Sequence, residues 1–149
     1  MSMIMNGLRP IEILLVEDNG EEAGLTMEAL SDGRVRNRIH WIEDGEDAIA
    51  FLRRQGRHAA APRPDLILLD WHLPRMNGQE VLMEIKQHPD WKRIPVVIMT
   101  SSSDEKDILS AYDRHANCFV TKPVDMDKFL EAVHSIEDFW LNLVRLPAA

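Results

Sequence analysis

The chain has 149 residues, 45% hydrophobic and 28% charged, and carries a net charge of −8. That is one domain with an ordinary core, which excludes a disordered chain and the basic face that nucleic-acid binding needs. The single cysteine, Cys118, excludes an internal disulfide, and no apolar run nears the roughly 20 residues that span a bilayer. Met1 to Leu8 lacks the basic start and apolar core of a signal peptide, so a cytoplasmic protein is expected.

Residues 1–10 read as a loose lead-in. Ile11 to Val16 is an apolar run of strand length that leads straight into Glu17-Asp18-Asn19-Gly20. Glu21 and Glu22 suit the first turn of a helix whose apolar content is Ala23, Met27 and Leu30, with Leu25 and Ala29 nearby. Ser31-Asp32-Gly33 stops that helix. Asn37 to Ile42 is a weak second strand. Glu43-Asp44-Gly45 turns into a helix with Ala48, Ile49, Phe51 and Leu52 as core contacts.

Gly56 to Pro64 is a long loop whose arginines, with Arg53 and Arg54 before it, read as a solvated basic stretch. Asp65 to Asp70 is a third strand, buried on both faces, and Pro74 to Gly78 is a turn cluster. A helix then carries Val81, Leu82 and Ile85 and ends at Pro89. Ile94 to Thr100 is a fourth strand, and Ser101 to Asp104 offers caps for a helix over 105–115. Asn117 to Thr121 is a fifth strand, closed by Lys122-Pro123. Asp125 caps a last, long amphipathic helix bearing Phe139, Trp140, Leu143 and Val144.

Strict alternation of five strands with helices predicts an α/β fold, a parallel sheet covered by helices on both faces. The domain spans residues 11–146, with 147–149 as a tail. In such a sheet the strand ends share one rim, where ligands collect. Glu17, Asp18, Asp70, Thr100 and Lys122 all fall at strand ends and so converge. Three carboxylates together are ionised at neutral pH, since such acids titrate near pH ~4. A magnesium ion, hard and held by carboxylates and waters, offsets their repulsion. A metal-bound carboxylate beside a lysine and a hydroxyl suits phosphoryl transfer, in which the protein mainly positions groups and neutralises charge. Asp70 is then the nucleophile, forming an aspartyl phosphate. Asp18 holds the metal directly, Glu17 assists through water, and the backbone carbonyl of His72 is a further ligand. Lys122 and Thr100 contact phosphoryl oxygens.

This set resembles the receiver domain of two-component response regulators over Ile11 to about Leu146. The matching stretches are Ile13 to Asp18, Leu68-Leu69-Asp70 with Leu73-Pro74 and Asn77-Gly78, Pro95 to Ser101, and Lys122-Pro123. The resemblance implies a flavodoxin-like (βα)5 three-layer sandwich with strand order 2-1-3-4-5. It also implies Mg2+ dependence, phosphoryl transfer from a histidine kinase to Asp70, and slow self-catalysed hydrolysis. Its switch couples Thr100 to an aromatic ring on the fifth strand, here Phe119, which lacks the hydroxyl of the commoner tyrosine.

The stretches His115 to Phe119 and Ile136 to Leu141 are similar to stand-alone regulators that partner phytochrome-type histidine kinases. That subgroup implies a homodimer through the fourth helix, fifth strand and fifth helix, with Phe139, Trp140, Leu143 and Val144 at the interface. An alternative with the same nucleophile is a phosphatase of the haloacid-dehalogenase kind. It needs a general acid two residues after Asp70, where His72 stands, and a substrate pocket that the sequence does not indicate. Trp71 is a candidate gate or packing residue beside the acceptor. No zinc-ligand spacing and no glycine-rich phosphate loop is present.

Overall fold

Five parallel strands form one sheet: β1 (Ile11–Val16), β2 (Asn37–Ile42), β3 (Leu66–Asp70), β4 (Val96–Thr100) and β5 (Cys118–Thr121). Their order across the sheet is β2-β1-β3-β4-β5, as expected. The structure, a computed structural model, describes residues 10–31, 36–100 and 118–121. Three described helices flank the sheet: α1 (Gly20–Ser31), α2 (Gly45–Arg53) and α3 (Gly78–Gln87). None of them is long and apolar enough to cross a membrane.

The apolar runs of β1, broken only by Glu12, and of β3 and β4 follow from burial on both faces. Leu14, Val16, Ile67, Leu69, Val96 and Ile98 pack against Ile49, Phe51 and Leu52 of α2 and Val81, Leu82 and Ile85 of α3. On the other face Ile13, Leu15, Leu66, Leu68, Val97 and Met99 meet Ala23, Ala29 and Leu30 of α1. Each fully buried leucine or phenylalanine contributes about 1.5–3 kcal/mol from removal of apolar surface from water. The side-chain alternation of a strand therefore sorts the core into two layers, one on each side of the sheet.

Caps set the helix starts. The Asp44 carboxylate accepts the Asp47 N–H at 2.8 Å. Asn77 and Glu80 form a reciprocal box at the start of α3, with bonds of 2.9 and 3.2 Å. Asp65 does more than begin a strand. Its carboxylate accepts the Glu12 N–H at 2.9 Å while its own N–H donates to the Glu12 carbonyl at 2.7 Å. Both residues are buried, so this reciprocal pair pins β3 against β1 at the strand starts.

Several expectations are corrected in detail. β3 and β4 begin at Leu66 and Val96, slightly inside the ranges read from sequence, and Asn117, read as the start of β5, lies outside the described residues. α3 ends at Gln87, because Pro89 cannot donate to continue it. Leu25 is 52% exposed, on the outer side of α1, where Thr26 is buried instead. The loop after α2 contains a 3-10 turn, Gly56–His58, which buries His58 against Phe51 and brings its Nε2 within 2.9 Å of Asp47 Oδ1. No periodic pattern marks so short an element. The arginines 53, 54, 57 and 63 are exposed, as read, although Arg57 also pairs with Asp47. The lead-in over 1–9, the helix over 105–115 and the long last helix with Phe139, Trp140, Leu143 and Val144 lie outside the described residues.

Candidate functional site

The register of the sheet assembles the site. Val16 pairs with Leu69 and Asp70 with Met99, so one further residue on β1 brings Glu17 level with Asp70. Period-two alternation then puts both carboxylates on the α1 face, following Ile13 and Leu15 on one strand and Leu66 and Leu68 on the other. Asp18, next along the chain, is exposed and reaches the same spot from the turn. One carboxylate oxygen from each of Glu17, Asp18 and Asp70 lies within 4.8 Å of the other two.

Glu17 is fully buried and Asp70 is 4% exposed. Glu17 Oε2 accepts the Asn19 N–H at 3.2 Å, and Asp70 Oδ1 accepts the His72 N–H at 3.2 Å. These bonds orient the two carboxylates without cancelling their charge. At an effective dielectric of about 20, two such charges 4.8 Å apart repel by about 3 kcal/mol. A cluster of hard oxygen donors at that spacing, two of them buried, fits a small divalent cation.

The segment after β3 is pressed against Asp70. The Gly78 N–H donates to the Trp71 carbonyl at 3.0 Å, and a Cβ on Gly78 would lie 2.4 Å from the Asp70 carbonyl oxygen and 2.7 Å from Trp71 Cα. Gly45 leaves similar room for the Met76 carbonyl. Between them Arg75 adopts a left-handed backbone, φ 68°, while its guanidinium bonds Glu46 at 2.7 Å and lies 3.7 Å from Asp44. The bond to Glu46 and the charges of Asp44 and Glu46 raise the Arg75 pKa, so it stays charged.

All three predicted carboxylates come together. His72 stands two residues after Asp70, its N–H on the Asp70 carboxylate, and the residue is exposed. Trp71 is 4% exposed and belongs to the α2–α3 side of the core, which settles it as a packing residue and not a gate. Thr100 ends β4, paired with Thr121 at the end of β5, so the backbone carries both strand ends to the same rim. Phe119 lies on β5, paired with Ile98. Lys122 follows the last described residue and lies outside the described set. Two contributors escaped the sequence reading. Trp41 donates its indole N–H to the Glu17 carbonyl at 2.7 Å, and Gly78 provides the space beside Asp70. The Asn77-Gly78 pair was visible as a turn, but the need for space was not.

A cleft of about 270 Å3 lined by Leu52, Arg54, Arg63, Pro64, Asp90 and Trp91 sits at the opposite rim, where helices end and strands begin. It is not the carboxylate site.

The response regulator receiver domain model matches residues 13–134. The chain belongs to that family. It is 46% identical to the response regulator Rcp1 of Synechocystis over 140 residues, covering 94% of this chain and 95% of Rcp1. The crystal structure of Mn2+-bound Rcp1 superposes with a TM-score of 0.79 at 46% identity, covering 93% of this chain and all of that one. The phosphorylated cyanobacterial phytochrome response regulator RcpA superposes at 0.80 with 45% identity, covering 94% of this chain and all of RcpA. The receiver fold accounts for the strand order and for the acidic rim, and it decides against the phosphatase alternative.

Proposed function

We propose that this receiver domain is a phosphorylation-driven signalling module with Asp70 as its acceptor, charged by a histidine kinase of the phytochrome type. The observation that carries the proposal is the convergence of Glu17, Asp18 and Asp70 at the strand-end rim. The similarity to Rcp1 and RcpA supports the choice of kinase.

In the reaction an Asp70 carboxylate oxygen bonds to phosphorus as the phosphorus–nitrogen bond of the donor phosphohistidine breaks. The imidazole leaves with that electron pair and takes up a proton. Asp18 and Asp70, with the His72 carbonyl, would hold Mg2+, and Glu17 would act through a water. When bound there, the ion would neutralise charge on the carboxylates and on the phosphoryl oxygens. The His72 N–H on its Oδ1 would orient Asp70 for attack, and its burial limits access to it. The Thr100 hydroxyl and the Lys122 ammonium serve the phosphoryl oxygens, and water later hydrolyses the acyl phosphate slowly. The switch runs from Thr100 to Phe119 by packing alone. Output passes through protein contacts in the cytoplasm, including a homodimer built on Phe139, Trp140, Leu143 and Val144.

Incubation with Mg2+ and acetyl phosphate should label the protein with an acid-labile, hydroxylamine-sensitive phosphate. Chelation or Asp70→Asn should abolish the label. Label persisting in Asp70→Asn would overturn the acceptor assignment.

A further inference from the structure

Of the three clustered acids, Asp18 is the one held least by its side chain. It is exposed, and among the described residues no hydrogen bond or ion pair holds its carboxylate. Its position therefore depends on the backbone that carries it. The peptide joining Glu17 to Asp18 is planar, so restraining the Glu17 carbonyl also restrains the Asp18 nitrogen. Two bonds act on that short segment. The Glu17 N–H donates to the Ile42 carbonyl at 2.9 Å, which continues the sheet by one step. Beyond it the ladder stops, and the Glu17 carbonyl is taken by the Trp41 indole N–H at 2.7 Å.

Trp41 is built into this place. It pairs with Leu15 in the sheet, which puts it on the α1 face with Glu17. Its ring edge reaches over the start of α1, where a Cβ on Gly20 would lie 3.7 Å from Trp41 Cη2. An indole that only filled core space would be buried, yet Trp41 is 38% exposed. Its short bond to a backbone oxygen next to the site is the contact that accounts for it. A donor-only ring there suits a carbonyl that must not swing toward the carboxylates.

We infer that Trp41 is a positioning residue for the metal site: its indole N–H fixes the Glu17–Asp18 peptide and so presents Asp18 to the ion. The inference rests on the proposed divalent-metal reading of the acidic cluster. It predicts that Trp41→Phe, which keeps an aromatic ring at the position but removes the donor, weakens binding of Mn2+ about three- to tenfold, the range of one hydrogen bond. The metal-free unfolding midpoint should change little.

The test is Mn2+ titration of the full chain by calorimetry for the parent, Trp41→Phe and Trp41→Ala, with metal-free thermal unfolding alongside. If the donor matters, Phe falls with Ala; if only ring packing matters, Phe binds like the parent and the inference is overturned. A parent that binds no Mn2+ overturns both the metal reading and the inference. A fold-independent check is the parent's Trp41 indole 15N–1H signal, assigned by its loss in Trp41→Phe. It should shift on Mg2+ saturation, and an unmoved signal would also overturn the inference.

Discussion

Gly78→Ala adds one methyl group beside Asp70, and the structure shows what that methyl meets. The new Cβ would lie 2.4 Å from the Asp70 carbonyl oxygen, 2.7 Å from Trp71 Cα and 2.9 Å from the Trp71 carbonyl oxygen. All three are backbone atoms, so no side chain can rotate out of the way. Relief requires α3 to back off from the strand end, or the segment over 71–77 to move. Alanine stabilises by about 0.4–1 kcal/mol through a less flexible unfolded chain. Forcing atoms into a packed site typically costs about 1–3 kcal/mol, and backbone contacts place this case at the upper end. The net loss is then about 2 kcal/mol, which for a domain of this size lowers the unfolding midpoint by about 4–8 °C. Because the nearest displaced atom belongs to Asp70 and the other two to the residue after it, phosphorylation by acetyl phosphate should also slow at temperatures where the variant is fully folded. Thermal unfolding by circular dichroism and a phosphorylation time course at 15 °C check both effects. A variant within 1 °C of the parent and phosphorylated at the parent rate would refute the close approach of α3 to Asp70.

Asp65→Ala removes the acceptor of the buried Glu12 N–H, and leaving that donor unsatisfied should cost about 1–3 kcal/mol in urea unfolding with the slope unchanged. Burial pushes the Asp47 pKa up, but bonds from His58 and Arg57 and their charges outweigh it and hold Asp47 below its ordinary value of 3.8. A depressed folded-state value stabilises fully above the unfolded-state pKa, and that stability is lost as pH falls through the folded-state one. The parent's melting temperature should therefore fall more steeply below pH ~4 than that of Asp47→Asn; parallel curves would exclude the contribution.

Much of the fold was legible because its signals are local. Apolar runs of strand length, acidic helix starts and turn clusters located β1, β3, α2 and α3 to within two residues. The core residues of α2 and α3 matched because helical periodicity reports burial directly. α1 was read less well. Its apolar residues are small and sparse, so Leu25, read with its apolar content, lies on the surface, while Thr26, which the reading did not mention, is buried. His58 was missed because a histidine in an arginine-rich loop carries no pattern that predicts burial.

The sequence by itself determined which acids stand at strand ends, and with that the acidic character of the rim. Glu17, Asp18 and Asp70 were identifiable from order and spacing alone, since parallel strands of known sequence bring their ends to one side. Only the tertiary structure decided which way those acids are aimed and what holds them there. The face shared by Glu17 and Asp70 depends on the register between β1 and β3, which the buried Glu12–Asp65 pair pins from the far end. The Trp41 bond to Glu17 and the gap filled by Gly78 join residues 24 and 8 positions apart. Such contacts leave no periodic trace in a sequence, because they are set by how closely two separately specified elements pack.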